Sequence, residues 1–195
     1  MSELGRGATA TVYLGRDAFA GREVAVKVFW QGAEDGGLVA PKRRNTFLNE
    51  ASLVGKLQHP HIVSLLDAAV ERDYSYIVME YVPGGTLAQF TAPDALLPLA
   101  KVVAVVFKSS RALEYAHRQG VIHRDIKPAN ILVTRAFDVK LSDFGVAILV
   151  DSTHTNLRNV GSPAYMSPEQ LSDEPLTHQT DIYSLGVVMF QLLTG

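Results

Sequence analysis

The chain has no cysteine, and its net charge is only −2 at pH 7. The missing thiols exclude disulfide bridges, thiolate zinc sites and cysteine nucleophiles, and they fit a reducing compartment. The near-neutral balance gives neither a nucleic-acid footprint nor a basic surface for anionic membranes. We therefore expect no nucleic-acid partner.

Long apolar runs are also missing. The best candidate, residues 102–107, lies between Lys101 and Lys108 and is far shorter than the ~20 residues of a membrane-spanning helix. The first residues, Met-Ser-Glu-Leu-Gly, have neither the basic nor the apolar region of a signal peptide. We expect a soluble, cytoplasmic segment without membrane contact, and leave open an anchor outside it.

The composition of the 195 residues, 47% hydrophobic and 19% charged, is that of a globular protein. The length suits one substantial domain or two small lobes that share a cleft. No repeat or low-complexity tract interrupts it. The character of the sequence changes near residues 82–85, where Pro83-Gly84-Gly85 predicts a turn.

Before that turn, the patterns predict strands and a single helix. The helix carries an apolar stripe that starts at Phe47, and Glu50 faces inward with this stripe, where an acid needs a cationic partner. The predicted strands cover residues 11–14, 23–29, 62–66 and 76–81, with a glycine-rich loop over 31–41. The stripe consists of Phe47, Ala51, Val54 and Leu57.

After the turn, the patterns are mainly helical. A long helix is predicted over residues 99–117, closed by Gly120, and a last helix over about 181–193. Short strands are predicted at 131–134 and 139–141. The apolar face of the long helix comprises Val102, Val103, Val106, Ala112, Leu113 and Ala116.

Residues 123–130, H-R-D-I-K-P-A-N, carry the strongest chemical signal. They place the carboxylate of Asp125, the ammonium of Lys127 and the amide of Asn130 along one short loop. Phosphoryl transfer from a nucleotide needs this set: a proton acceptor for the hydroxyl, a cation for the moving phosphate and an oxygen for magnesium. Agreement at six specified positions makes a chance match remote.

Two weaker motifs come earlier in the chain. Residues 5–12, G-R-G-A-T-A-T-V, are typical of a loop whose backbone approaches phosphates, although a purely structural hairpin fits them as well. Ala10 stands in the third glycine place. Lys27, at the end of V-A-V-K, would be a snorkelling strand lysine in isolation. With Glu50 as its counter-ion, it could instead grip the phosphates of a nucleotide.

Three later motifs fit the same chemistry. Asp143, in D-F-G, comes thirteen positions after Asn130, and the two side chains could share a magnesium ion. Residues 161–169, G-S-P-A-Y-M-S-P-E, and 181–186, D-I-Y-S-L-G, follow. Asp181 could be a simple helix N-cap.

These motifs, in this order and with these gaps, resemble the eukaryotic-type Ser/Thr protein kinases, particularly their bacterial members. The resemblance covers nearly the whole chain and implies an α+β, two-lobed kinase fold: a small β-rich N-lobe with one helix over residues 1–82, and a mainly helical C-lobe over 83–195. Relative to the family, the C-lobe lacks its last helices. The chain therefore reads as a C-terminally truncated catalytic domain.

The resemblance also implies roles for individual residues. Asp125 would orient or deprotonate the substrate hydroxyl, and Lys127 would neutralise charge on the γ-phosphate and favour serine or threonine acceptors. Lys27 and Glu50 would clamp the phosphates of ATP, while Asn130 and Asp143 would bind Mg2+. Asp181 would hold the backbone of the catalytic loop, a role compatible with an N-cap. The remaining nucleotide-binding residues would be Leu4, Gly5, Gly7, Val12, Ala25, Met79, Glu80, Val82 and Leu132, with Met79 as gatekeeper.

Regulation follows from the same likeness. Arg124 beside Asp125 suggests autophosphorylation of the activation segment, with Ser152, Thr153 and Thr155 as candidate sites. Ser162 replaces the more common threonine and keeps a hydroxyl near the catalytic loop. A stack linking the two lobes would comprise Val54, Leu65, His123 and Phe144.

Protein substrates with Ser or Thr hydroxyls are the expected partners, and the oligomeric state stays open. Two alternatives also remain: a pseudokinase-like ATP-binding scaffold and a small-molecule phosphotransferase. The complete set of catalytic residues speaks against the first, and Lys127-Pro128 with Ser167-Pro168-Glu169 against the second. Because the chain ends at Gly195, we expect apolar residues of its last helix to lose cover and Glu169, if buried, to lack its usual partner. The residues concerned are Val187, Val188, Phe190 and Leu193. We expect the isolated chain to be poorly stable.

Overall fold

A computed structural model describes residues 2–7, 10–30, 41–144 and 163–195. The chain divides into two compact units. The first contains residues 1–58 and 63–81, and the second contains residues 59–62 and 82–195. A short connection within the first part of the sequence, residues 59–62, thus belongs to the second unit.

The first unit is built on a five-stranded antiparallel sheet with strand order β1-β2-β3-β5-β4. Along β3, β-branched valines occupy every second position from Val24 to Val28, as is typical of a strand. Val24, Ala25 and Phe29 of this strand are buried. The strands are β1 Ser2–Arg6, β2 Thr11–Asp17, β3 Arg22–Trp30, β4 Leu65–Val70 and β5 Tyr74–Glu80. The predicted loop over 31–41 lies outside the described residues, apart from Pro41.

One helix, α1, spans Pro41–Val54 and begins six residues before the apolar stripe that predicted it. Phe47 and Ala51 are buried, and the ring of Phe47 meets the edge of Phe29 at 6.1 Å between centroids. The predicted strand over 62–66 is wrong by about three residues. Ile62 instead forms an isolated parallel bridge with Leu141, within the second unit.

The second unit contains a three-stranded antiparallel sheet, β6-β7-β8, and three α-helices among its described residues. Helices α2 and α4 pack against each other and enclose the core between them. The elements are β6 Gly84–Thr86, α2 Leu99–Arg118, β7 Ile131–Thr134, β8 Val139–Leu141, α3 Pro168–Leu171 and α4 His178–Thr194, with 3-10 turns at Leu87–Phe90, Pro128–Asn130 and Pro163–Tyr165.

The buried face of α2 differs slightly from the predicted one. Val105 is buried, whereas Val103 is 59% exposed, so the face follows the 3.6-residue period from Val102 through Val105. The buried set is Val102, Val105, Ser109, Ala112, Leu113 and Ala116. The corrected face packs toward α4 and β8.

Two glycines set the ends of elements around the later site. Gly120 ends α2 as predicted: its φ is 75°, its N–H donates to His117 O at 2.9 Å, and Val121 N–H donates to Ala116 O at 3.0 Å. This is a Schellman motif, which turns the chain sharply into the next loop. At Gly84, a Cβ would lie 1.9 Å from the carbonyl oxygen of Val133, so only glycine permits this strand pairing.

The last helix begins at His178, three residues before the predicted start, and its N-cap is Thr177. Asp181 is therefore not the N-cap. Of the four apolar residues that we expected to be exposed, Val188 is fully buried and Val187 half-buried, whereas Phe190 is 68% and Leu193 41% exposed. In the part of the chain that the structure describes, no helix combines the length and the apolar character needed to cross a membrane.

Candidate active site

One buried carboxylate accepts hydrogen bonds from the backbone of the loop that follows α2. Asp181, on α4, is only 1% exposed. Its Oδ2 accepts a hydrogen bond from His123 N–H and its Oδ1 accepts one from Arg124 N–H, each at 2.8 Å. Arg124 has a φ of 70°, a left-handed conformation that is costly for a residue with a Cβ. The two bonds to Asp181 stabilise this strained turn.

A third group binds the same carboxylate. His117, in the last turn of α2, places its Nε2 2.7 Å from Asp181 Oδ2. Burial by itself raises the pKa of Asp181, but the His117 hydrogen bond, the ring of His123 and the two backbone N–H groups outweigh it and hold that pKa below its ordinary value. The anchor is therefore ionised at neutral pH.

Asp125, Lys127 and Asn130 meet in the loop that Asp181 anchors. Lys127 Nζ lies 2.7 Å and Asn130 Nδ2 2.8 Å from the same oxygen, Asp125 Oδ2. Asn130 Nδ2 also donates to the backbone carbonyl of Asp125 at 2.8 Å. The side chains of Asp125 and Lys127 are 27% and 20% exposed, so both can reach a substrate. The structure brings this predicted trio together.

Asn130 also ties the loop to the strand end that carries Asp143. Ser142 donates to the carbonyl of Asn130 through its N–H at 2.9 Å and through its hydroxyl at 3.1 Å. The pairing of β7 with β8 sets this approach, because Ile131 lies opposite Leu141. Asp143 follows at once, with a φ of 64°.

These donors suit a magnesium ion that is completed by phosphates. The amide nitrogen of Asn130 is used by Asp125, so its oxygen is the atom left to face a cation. Magnesium prefers hard oxygen ligands, usually one or two from protein together with phosphates and water. No cluster of three or more His, Asp or Glu side chains that could hold a metal by itself occurs among residues 2–7, 10–30, 41–144 and 163–195.

His123 joins the loop to Phe144 and is fully buried. Its Nδ1 accepts from Asp125 N–H at 3.3 Å and its Nε2 donates to Ser142 O at 2.8 Å, while its ring centroid lies 4.4 Å from that of Phe144. Two members of the predicted stack are therefore in contact. The loop, the end of β8 and Phe144 form one packed cluster.

Four predicted nucleotide residues of the first unit share one sheet face. On β3, Ala25 and Lys27 are two residues apart and point to the same side. Val12 of β2 lies opposite Lys27, and Met79 of β5 lies opposite Ala25. Lys27 Nζ also lies 5.7 Å from the centroid of Phe29.

The other predicted residues are more scattered. Gly5 pairs with Val12 beside an irregular register that includes Leu4, and Gly7 N–H donates to Ala10 O at 2.8 Å. In the second unit, Leu132 pairs with Thr86 and Lys140.

The last three predicted residues occupy different parts of the fold. Glu80 closes β5, where its Oε2 accepts from Ser64 N–H at 3.2 Å, and Val82 belongs to the second unit. Glu50 is half-buried on α1. Its pairing with Lys27 stays a prediction.

The segment after residue 162 is fixed to α4 by hydroxyl groups. Ser167 is fully buried and caps α3 in a capping box with Gln170. Glu169, which we expected to lack a partner if buried, is only half-buried and accepts from the Thr180 hydroxyl at 2.7 Å. That hydrogen bond lowers the pKa of Glu169. Ser184 binds the carbonyl of Tyr165 at 2.7 Å.

Sequence reasoning missed the supporting residues His117, Gln170 and Thr180. Only Gln170 gave a signal, since it follows Ser167 by three positions in a capping-box pattern. Gly145 and the predicted regulatory residues Ser152, Thr153, Thr155 and Ser162 lie outside the described residues.

Comparison with known proteins places this geometry in context. The family described as "Protein kinase domain" matches residues 1–195. The chain is 39% identical over 198 residues to a probable serine/threonine-protein kinase PknB of Lactococcus lactis and 40% identical over 196 residues to the serine/threonine-protein kinase PrkC of Bacillus subtilis. These matches cover 100% and 98% of this chain but only 31% and 29% of the relatives.

Among solved structures, the chain resembles the PknI kinase domain of Mycobacterium tuberculosis, determined as a C20A mutant. The TM-score is 0.79 at 30% sequence identity. The match covers 98% of this chain and 71% of that one.

Proposed function

The chain belongs to the protein kinase family, and from this premise we propose that it transfers the γ-phosphate of ATP to serine and threonine hydroxyls of proteins. The curated relatives named above are serine/threonine-protein kinases by name, and the chain has the fold of the solved PknI kinase domain. The observation that carries the proposal is the meeting of Lys127 and Asn130 on one oxygen of Asp125, in a loop anchored by buried Asp181.

In the proposed reaction, the substrate hydroxyl oxygen forms a bond to the γ-phosphorus while the bond between that phosphorus and the bridging oxygen of ADP breaks. Asp125 accepts the hydroxyl proton. Both neighbouring donors bind its Oδ2, so Oδ1 is the oxygen that faces the hydroxyl. Lys127 stands 2.7 Å from Asp125 and supplies positive charge beside the moving phosphate.

Mg2+ would be held by the amide oxygen of Asn130 and the carboxylate of Asp143, and when bound it would neutralise charge on the phosphates of ATP. In the first unit, Lys27 and Glu50 would clamp those phosphates, with Lys27 on the same sheet face as Val12, Ala25 and Met79. The supporting fact is the common orientation of these side chains.

We further propose that phosphorylation of Ser152, Thr153 or Thr155 regulates the reaction. The Nε of Arg124 is buried and has no hydrogen-bond partner in the part of the chain that the structure describes. A phosphate is a strong acceptor for such a donor. Mass spectrometry after incubation with Mg-ATP should find at least one of the three residues modified. Full activity with none of them modified would contradict this regulation.

The main test is transfer of labelled phosphate from Mg-ATP to a generic protein acceptor and to the chain itself. Asp125→Asn should abolish transfer and retain nucleotide binding, measured by calorimetry, because the carboxylate acts on the hydroxyl and not on ATP. Asp173→Asn, an exposed change of the same charge, is the matched control and should keep full activity. Nucleotide binding without transfer in the unsubstituted chain would favour an ATP-binding scaffold instead.

A further inference from the structure

We propose that Gln170 is a positioning residue for the reaction: it fixes the peptide unit that precedes Asp125 and so aims the Asp125 carboxylate. This inference rests on the proposed function, since it concerns the residue assigned there as proton acceptor. Gln170 Nε2 donates to the carbonyl oxygen of Arg124 at 2.8 Å, across 46 positions of sequence.

The orientation of the Gln170 amide is unambiguous because each end of it meets a backbone atom, although the Ser167 hydroxyl also donates to its Oε1 at 3.3 Å. Its Oε1 accepts from Ser167 N–H at 3.0 Å, and a backbone N–H can only donate. Its Nε2 faces the Arg124 carbonyl, which can only accept. One side chain therefore has two separable tasks, capping α3 through its oxygen and holding Arg124 through its nitrogen.

The peptide unit between Arg124 and Asp125 is bound at both ends. Its carbonyl accepts from Gln170, and its N–H, which belongs to Asp125, donates to His123 Nδ1 at 3.3 Å. Arg124 sits at a φ of 70°, and its own N–H is held by Asp181. A turn in this conformation relaxes unless several contacts hold it. Rotation of this peptide would redirect the Cα–Cβ bond of Asp125.

Gln170 is in turn fixed to the helix that anchors the loop. Ser167 and Glu169 lie against the hydroxyl of Thr180, at 3.5 Å and 2.7 Å. Thr180 is the neighbour of Asp181, which binds the N–H side of Arg124. The hydrogen bonds thus close a ring from Asp181 through Thr180 and Gln170 to the carbonyl of Arg124. This ring joins the segment 163–171 to the catalytic loop.

Two substitutions separate the two tasks of Gln170. Gln170→Glu keeps an acceptor for Ser167 N–H, and glutamate serves in capping boxes as well as glutamine, but it offers the Arg124 carbonyl no donor. Gln170→Lys keeps a donor of similar reach and loses the acceptor. Gln179→Glu and Gln179→Lys make the same charge changes at an exposed position on α4 and serve as matched controls.

We expect Gln170→Glu to lower kcat about tenfold with an unchanged KM for ATP, because misplacement of a catalytic group costs rate and not nucleotide binding. Its Tm should fall by a few degrees, because the carboxylate then faces the Arg124 carbonyl, acceptor against acceptor. Gln170→Lys should lower Tm and keep kcat within about threefold of the parent chain. If Gln170 acts only as a cap, the pattern is reversed: Gln170→Glu matches the parent and Gln170→Lys loses both activity and stability. That reversal would overturn the proposal.

A spectroscopic readout separates failure of this inference from failure of the proposed function. The 15N shift of the Asp125 amide responds to hydrogen bonding at the preceding carbonyl, and it needs no catalysis. We expect it to move in Gln170→Glu and to stay in both Gln179 variants. An unchanged Asp125 amide signal would refute the positioning role even in an active enzyme. A shifted signal in a chain without transfer would refute only the function.

Discussion

Replacing Asp181 by asparagine changes one atom of the buried anchor and leaves its shape nearly intact. The carboxylate accepts three hydrogen bonds, from His123 N–H, Arg124 N–H and His117 Nε2. An amide has a single acceptor oxygen. If that oxygen takes the place of Oδ2, the amide nitrogen faces the N–H of Arg124 at 2.8 Å, donor against donor.

The loss of stability can be estimated from this arrangement, in which the asparagine oxygen keeps two of the three hydrogen bonds. A buried N–H without an acceptor costs about 1–3 kcal/mol, and the two remaining bonds lose the extra strength that a charged acceptor gives. We expect a loss of about 3 kcal/mol in the free energy of unfolding of the second unit, or a fall in Tm of about 6–12 °C for a chain of this size. Because Arg124 then loses its hold, kcat should also fall, by about 10- to 100-fold.

Thermal unfolding measured by circular dichroism, with Asp173→Asn as the exposed control, tests the magnitude. The pH dependence tests the cause. The pKa of Asp181 is lowered in the folded chain, so its contribution is fully present above the unfolded value of 3.8 and is lost as pH falls through the lower folded value. The gap in Tm between parent and variant should be constant above about pH 5 and shrink below pH 4. A variant that melts within about 2 °C of the control at pH 7 would refute the reasoning.

Three further outcomes are expected. Leu113→Ala should cost about 2–5 kcal/mol in chemical denaturation, because this side chain is fully buried, and a cost below about 1 kcal/mol would show that the core relaxes around it. Asp138→Asn should lower the free energy of unfolding by less than about 1 kcal/mol, because the Asp138 side chain, whose pKa is lowered by the hydrogen bond from Lys108, is 47% exposed. The difference should vanish in about 1 M salt, and a loss that persists in salt would contradict this. Phe190→Gln should reduce concentration-dependent light scattering without lowering Tm, because the ring is 68% exposed on α4 and can promote self-association of the chain. Unchanged scattering would exclude this ring as a cause of self-association.

Much of the candidate site could be predicted because its chemistry is local in sequence. Asp125, Lys127 and Asn130 lie within six positions, so any compact turn brings them within reach of one another, and they share one carboxylate oxygen. Gly120 likewise ended α2 as predicted, because a left-handed residue after a helix is a local requirement. The kinase fold itself followed from the order and spacing of several such local motifs.

Predictions failed where a distant partner decided the outcome. The apolar run beginning at Ile62 indicated a strand there, yet its residues belong partly to the second unit, where Ile62 bridges to Leu141 and β4 starts only at Leu65. The N-cap reading of Asp181 was wrong, because Thr177 takes that place. The other expected role of Asp181, holding the catalytic loop, is confirmed by the hydrogen bonds from His123 N–H and Arg124 N–H. Burial of Val105 in place of Val103 was likewise set by packing against α4 and β8.

The sequence by itself determined which groups are available for the proposed reaction, since Asp125, Lys127 and Asn130 lie within six positions and supply a carboxylate, an ammonium and an amide. Only the tertiary structure decided what holds them in place. His117 and Asp181 are 64 positions apart, and Gln170 and Arg124 are 46 apart. Such pairs leave no local pattern, because their hydrogen bonds form only after the chain has closed long loops around a buried core, and core packing sets the distances.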